Sequence, residues 1–299
     1  MAFAIQVVIP LAAALMLLAL GLTLDLAQIL RLAEQPRALV LGLLVRWILG
    51  PAIAVGVCLL VHPPGPTALG LVLVGCCPLG TPVPAVVRAA RGDVALGLAL
   101  TAATNLASPV LLPLLLAAGS LVLGLEQSVR PGALGSTALR IAAVVMVPTV
   151  LGMAMRRSWP GFARAIEPKV TPFALVMIAA IVAGLLLTSR EHVVASLVQS
   201  GAIALTMNVL ALGVAMLLGR VARVAPAEQV AVVLAAGLFN FGLHAFVSLT
   251  LLRDARVLLP AVAYGILMWV TATGVAVRAR RRGSGEPEVL ASRTGQAAG

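Results

Sequence analysis

The 299-residue chain is 61% hydrophobic and only 10% charged, with a mean hydropathy of +1.11. This excludes an ordinary soluble domain, in which about a quarter of the residues carry charge. The net charge of +11 does not indicate nucleic acid either, because the basic residues sort between membrane loops, as shown below. The composition is that of an all-α polytopic membrane protein.

A helix needs about 20 mostly apolar residues to cross about 30 Å of hydrocarbon. Nine segments meet that requirement, at about 3–24, 38–61, 66–88, 94–118, 136–155, 170–188, 200–219, 227–252 and 257–277. No basic residue precedes the first, so it is expected to be a retained helix and not a cleaved signal peptide. The second contains LLVRWILGP, in which Arg46 is the one charged side chain between Ala38 and Val61. A central arginine costs about 2.5–3.5 kcal/mol in hydrocarbon, so Arg46 must face a cavity or a partner.

The third segment contains GCCPLGTPVP, with Pro78, Pro82 and Pro84 beside Gly75 and Gly80. Each proline removes a backbone donor and clashes with the preceding turn, so this helix is expected to break. Unwound backbone at membrane depth survives where protein or water satisfies it, and such breaks mark transporter binding sites. Cys58, Cys76 and Cys77 are few and all lie at membrane depth; they read as small apolar packing, with no disulfide framework and no metal site. A soft oxyanion bound through Cys76 or Cys77 is the alternative.

The short loops 62–65 and 89–93 make the second, third and fourth helices antiparallel neighbours. On the fourth, Gly97, Thr101, Thr104, Asn105 and Ser108 share one face, which either hydrogen-bonds a neighbouring helix or lines a cavity. The eighth segment contains GLFNFG, where Gly237, Asn240 and Gly242 suggest a second interruption, followed by His244. A histidine there is either a proton carrier or a hydrogen-bonded packing residue. Residues 283–299 are polar and rich in Gly, Ser and Glu, the composition of a disordered tail that follows a transmembrane domain at 1–282.

Basic residues alternate across this nine-helix arrangement. One side collects Arg31, Arg37, Arg88, Arg91, Arg156, Arg157, Arg164, Lys169, Arg220, Arg223, Arg278, Arg280, Arg281, Arg282 and Arg293, and the other Arg130, Arg190, Arg253 and Arg256. The positive-inside rule makes the first side cytoplasmic. The expected location is the plasma (inner) membrane, with the amino terminus outside and the carboxyl terminus inside.

The succession GLTLDL (21–26), an apolar helix ending at Pro51, LVGCCPLGT (73–81), RGDVAL (91–96) and LTAATNLASPVLLP (100–113) resembles the bile acid:sodium symporter family. AAGLFNFGL in the eighth helix matches that family's second crossing helix more loosely. The resemblance implies an inverted repeat with two discontinuous crossing helices and a core domain (38–118 and 200–277) that rotates against a panel domain (3–24 and 136–188). Substrate would bind between them, with nine helices arising by omission of the first helix of longer members.

The family's sodium ligands carry over poorly. Its Ser-Asn pair falls at Val83 and Pro84, its serine and threonine at Gly97 and Thr101, and its glutamate and glutamine at Ala235 and Phe239. A hard cation needs oxygen ligands, and Thr101, Thr81 and backbone carbonyls are what remain. The family's glutamine on the second helix, 37 residues before Val83, falls at Arg46.

These residues support an expectation of a secondary transporter for a small organic anion, with altered or absent sodium coupling and Arg46 standing in for a bound cation. The alternatives are sodium symport through a rearranged site and a ligand sensor that does not transport. An enzyme is not expected, because no acid/base pair lies at membrane depth. The expected partners are the small organic anion and the lipid bilayer, with no nucleic acid and no cofactor other than sodium. Candidate substrate or ion ligands are Arg46, Thr81, Thr101, Thr104, Asn105, Ser108, Asn240 and His244. Substrate identity and oligomeric state are not legible in the residues.

Overall fold

The computed structural model describes residues 7–23, 36–125, 134–188 and 190–283, and among them every regular element is helical. In chain order these are α1 (Ile9–Thr23), α2 (Pro36–Leu44), a π turn at Val45–Leu49 and α3 (Gly50–Val61). Then come α4 (Gly65–Cys76), α5 (Val83–Ala89), α6 (Val94–Val122), α7 (Leu134–Ser158), α8 (Pro160–Thr188) and α9 (Arg190–Val221). The chain continues through α10 (Pro226–Gly237), α11 (Phe241–Phe246), a π turn at Val247–Leu251, a 3-10 turn at Ala255–Val257 and α12 (Leu259–Gly283).

Among the described residues six stretches are long and apolar enough to cross a membrane: Pro36–Val61, Val94–Val122, Gly135–Ser158, Val198–Val221, Pro226–Leu251 and Ala255–Arg281. Of the other expected segments, the first gives a shorter apolar helix, Ile9–Thr23, and the third begins with another, Gly65–Cys76. The sixth, 170–188, is the second half of α8. The tail beyond 283 lies outside the described residues, as do Arg31, Arg130 and Arg293.

Both interruptions are present. α4 stops at Cys76 and helix resumes at Val83; α10 stops at Gly237 and helix resumes at Phe241. Pro78, Gly80 and Pro82 lie inside the first gap. Pro84 lies in the first turn of α5, where a missing N–H leaves no helical bond unmade, and Gly242 sits within α11. The two gaps touch: the Asn240 N–H donates to the Pro78 carbonyl at 2.8 Å. A Cβ at Gly80 would stand 2.9 Å from the Phe239 carbonyl, so only glycine lets the two backbones approach this closely.

The two broken helices recur at a constant spacing. His62 and Arg223 each take a left-handed conformation before a helix whose first turn holds a proline. The first half-helices begin at Gly65 and Pro226 and end at Cys76 and Gly237. Beyond each second half, Asp93 and Asp254 accept a backbone N–H as N-caps. In every pair the second residue lies 161 positions after the first.

α1 packs on α7 and α8, while α9 packs on α10 and α12 and α4 on α3 and α6. Small residues set the tightest approaches, as expected where lipid supplies no hydrophobic drive between helices. Cβ atoms on Gly21 and Gly152 would run into the opposing carbonyls of Thr149 and Leu18. Across α3 and α4, Cβ atoms on Gly50 and Gly75 would fall 2.9 Å and 2.7 Å from each other's carbonyl oxygens. That second approach brings the π turn carrying Arg46 up to the end of α4.

Gly75→Ala therefore overpacks backbone against backbone, and is expected to destabilise the protein by about 1–3 kcal/mol. Gly56→Ala, which meets nothing within 4 Å, is expected to leave stability unchanged or slightly raised. Thermal unfolding of the two purified variants in detergent separates them.

Candidate functional site

The site is built where the two gaps meet. A half-helix ends with carbonyls that have no partner in the helix and that carry about half a negative charge between them. At the end of α4, Arg46 answers both problems. Its Nε donates to the Cys77 carbonyl at 2.5 Å and its Nη2 to the Val74 carbonyl at 2.7 Å. Arg46 is only 2% exposed. Among the described residues the ion pair within 4 Å joins Asp254 to Arg256, and no carboxylate reaches Arg46. At that distant turn the Arg256 guanidinium, hydrogen-bonded to Asp254, holds its carboxyl below the usual range.

Neutral side chains of α6 bond Leu79, in the middle of the first gap. The Leu79 N–H donates to Thr104 Oγ1 at 3.2 Å, and Asn105 Nδ2 donates to the carbonyls of Leu79 and Thr101, both at 2.8 Å. Asn105 Oδ1 accepts from Asn240 Nδ2 at 3.2 Å, and Asn240 Oδ1 accepts the Leu243 N–H at 3.0 Å. Two amides thus connect α6, the first gap and the start of α11. Thr101 and Ser108 bond to carbonyls of their own helix, those of Gly97 and Asn105. All four polar residues of the α6 stripe are buried, and Thr104 and Asn105 reach the broken backbone.

His244 joins the two broken helices at a second point. Its Nε2 lies 3.1 Å from the Gly70 carbonyl and its Nδ1 3.2 Å from Ser248 Oγ. A carbonyl only accepts, so Nε2 carries the hydrogen and the Ser248 hydroxyl donates to Nδ1. The neutral ring is therefore fully bonded, with 0% exposure.

Beside the crossing lies a cavity of about 320 Å³, within the size range of small-molecule sites. Gly80, Pro82 and Val83 line it from the first broken helix, and Leu238, Phe239 and Phe241 from the second. Met16 of α1 and Ala179 of α8 face them, and α12 closes one wall with Gly265 and Trp269. The lining is overwhelmingly apolar. Phe239 separates this space from the polar residues behind it, with its ring edge-on to Phe241, His244 and Tyr264 at centroid distances of 6.1, 5.8 and 5.4 Å.

Of the residues singled out in sequence, Arg46, Thr104, Asn105 and Asn240 meet directly at the gaps. Thr101 and Ser108 stand behind them, His244 binds Gly70, and Thr81 Oγ1 is buried without a partner. None of these side chains lines the cavity. Sequence reasoning missed Asn208, whose Nδ2 donates to the Gly237 carbonyl at 2.9 Å while its Oδ1 is buried without a partner. It therefore caps the end of α10 as Arg46 caps the end of α4. The 161-residue spacing was the available signal, because Met207, its immediate neighbour, lies 161 positions after Arg46. Tyr264 was also missed, because an aromatic in an apolar membrane helix carries no distinguishing pattern, and Phe239 was named only as the place of the family's glutamine.

A family model described as "Sodium Bile acid symporter family" matches residues 10–196. A Bacillus subtilis (strain 168) protein named "Uncharacterized sodium-dependent transporter YocS" is 28% identical over 233 residues, covering 76% of this chain and 68% of that one.

Asn105→Leu and Asn240→Leu each leave buried backbone or amide groups unbonded, and each is expected to cost about 2–4 kcal/mol. Because they share one hydrogen bond, the double variant is expected to lose less than the sum of the two. A double-mutant cycle on unfolding free energy, with coupling above about 0.5 kcal/mol, checks the contact.

Proposed function

Since the chain belongs to the sodium bile acid symporter family, we propose that it is a secondary transporter that moves a small organic anion by alternating access without sodium coupling. The observation that supports this most strongly is the pair of bonds from Arg46 to the Val74 and Cys77 carbonyls. A fixed guanidinium stands where the family resemblance places a cation-site glutamine, and the position of the site's glutamate is the neutral, buried Ala235. Both changes together replace a mobile +1 ion and its acidic ligand by one tethered +1 charge. Asn105, Thr104 and Asn240 hold the remaining open groups without an ion.

In this reading the 161-residue recurrence marks two inverted halves. The body that moves contains α2 to α6 and α9 to α12, and it slides against α1, α7 and α8. The cavity between Phe239, Pro82 and Met16 is the substrate space, and its apolar lining suits an anion with a hydrophobic body. His244 acts in this reading as a packing residue bonded to Gly70 and Ser248 and not as a proton carrier.

A second reading keeps sodium. The name of the Bacillus relative favours it, and so does the unpartnered Thr81 Oγ1 in the first gap, an oxygen available to a cation.

A thermal-shift screen of small carboxylates in sodium-free potassium buffer tests the first reading. Stabilisation by at least one carboxylate is expected, and Arg46→Gln is expected to weaken that binding about tenfold or more. Stabilisation that appears only when sodium is added would favour the second reading. Uptake of the selected carboxylate is expected to depend equally little on pH in the unmodified protein and in His244→Gln. A pH dependence lost in that variant would restore the carrier role.

A further inference from the structure

Arg46 is bonded to the end of α4, so its charge travels with the broken helices and not past them. The other buried polar residues at and behind the crossing, Thr101, Thr104, Asn105, Ser108, Asn208 and Asn240, are neutral, and His244 is fully bonded as the neutral ring. Among the described residues no acidic side chain pairs with Arg46. Helix dipoles at the ends of α4 and α10 stabilise the guanidinium but carry no net charge. The empty moving body therefore bears one positive charge at membrane depth.

We propose that this protein is an electroneutral exchanger of monovalent organic anions, in which the bound anion cancels the charge of Arg46. The proposal rests on the alternating-access reading above and adds to it the mode and direction of transport. Loaded with one anion, the moving body is neutral and crosses without regard to membrane potential. Empty, it crosses as a +1 charge, and a unit charge taken through the whole potential changes the balance of its two positions about fiftyfold per 100 mV.

A potential negative inside holds empty carriers facing inward, which opposes their return to the outside. Flow without exchange therefore runs outward only and moves charge, whereas entry of an anion requires another anion to leave in an electroneutral exchange. The anion carried in is thus balanced by an anion carried out, and the protein serves a reaction that produces a monovalent carboxylate inside the cell.

The charge of the empty carrier is measurable without knowing the substrate. Gly265 lines the cavity, and a Cβ there meets only the Phe241 ring at ordinary contact distance, 3.5 Å. The native cysteines Cys58, Cys76 and Cys77 are buried. The Gly265→Cys protein is reconstituted in one orientation in substrate-free and sodium-free liposomes, and a potential is set with potassium and valinomycin. A membrane-impermeant maleimide then labels the introduced thiol from outside.

The labelling rate is expected to change several-fold between potentials of opposite sign, to keep that change with Arg46→Lys, and to lose it with Arg46→Gln. Labelling that ignores potential in the protein that retains Arg46, or that responds equally in the Arg46→Gln variant, overturns the charge assignment and leaves the transporter reading standing. Absence of labelling from both sides at every potential overturns both. Where the Arg46→Gln variant does not fold, the response of the protein that retains Arg46 and of its Arg46→Lys variant alone decides.

Discussion

The hydrogen bonds from Arg46 to the carbonyls of Val74 and Cys77 are the contact on which the rest of the arrangement depends. Breaking a helix inside a membrane frees carbonyls that cannot be left bare, and burying an arginine there demands partners. Each problem is the solution of the other. The π turn at Val45–Leu49 and the glycine pair Gly50 and Gly75 bring the second helix close enough for the guanidinium to reach both oxygens.

The same logic extends around the crossing in uncharged form. Asn208 caps the end of α10, Asn105 and Thr104 take the open groups of Leu79, and Asn240 gives its backbone N–H to Pro78 and its side chain to α11. A buried network of this kind fixes geometry when every member is bonded and is costly when one is removed. Thr81 Oγ1 in the first gap and Asn208 Oδ1 at the end of α10 are left without a partner.

Much of this is legible in the residues. Pro78 and Pro82 force the first break, and Gly237 with Asn240 marks the second, since backbone chemistry is local. Arg46 stands out because charge in hydrocarbon is expensive. The polar stripe on α6 is one face, as its spacing requires, but periodicity alone does not say what a face meets. It meets backbone, and apolar aromatics border the cavity instead. Asn208 escapes notice because its role comes from a recurrence 161 residues long, and Tyr264 because an aromatic in an apolar helix carries no distinguishing pattern.

The proposal that the tethered guanidinium of Arg46 takes the place of a mobile cation meets its sharpest test in the thermal stability of the purified protein as sodium replaces potassium at constant ionic strength. No sodium-specific change is expected across the titration. A saturable rise in stability with sodium would contradict it and would mean that an ion site persists beside Arg46.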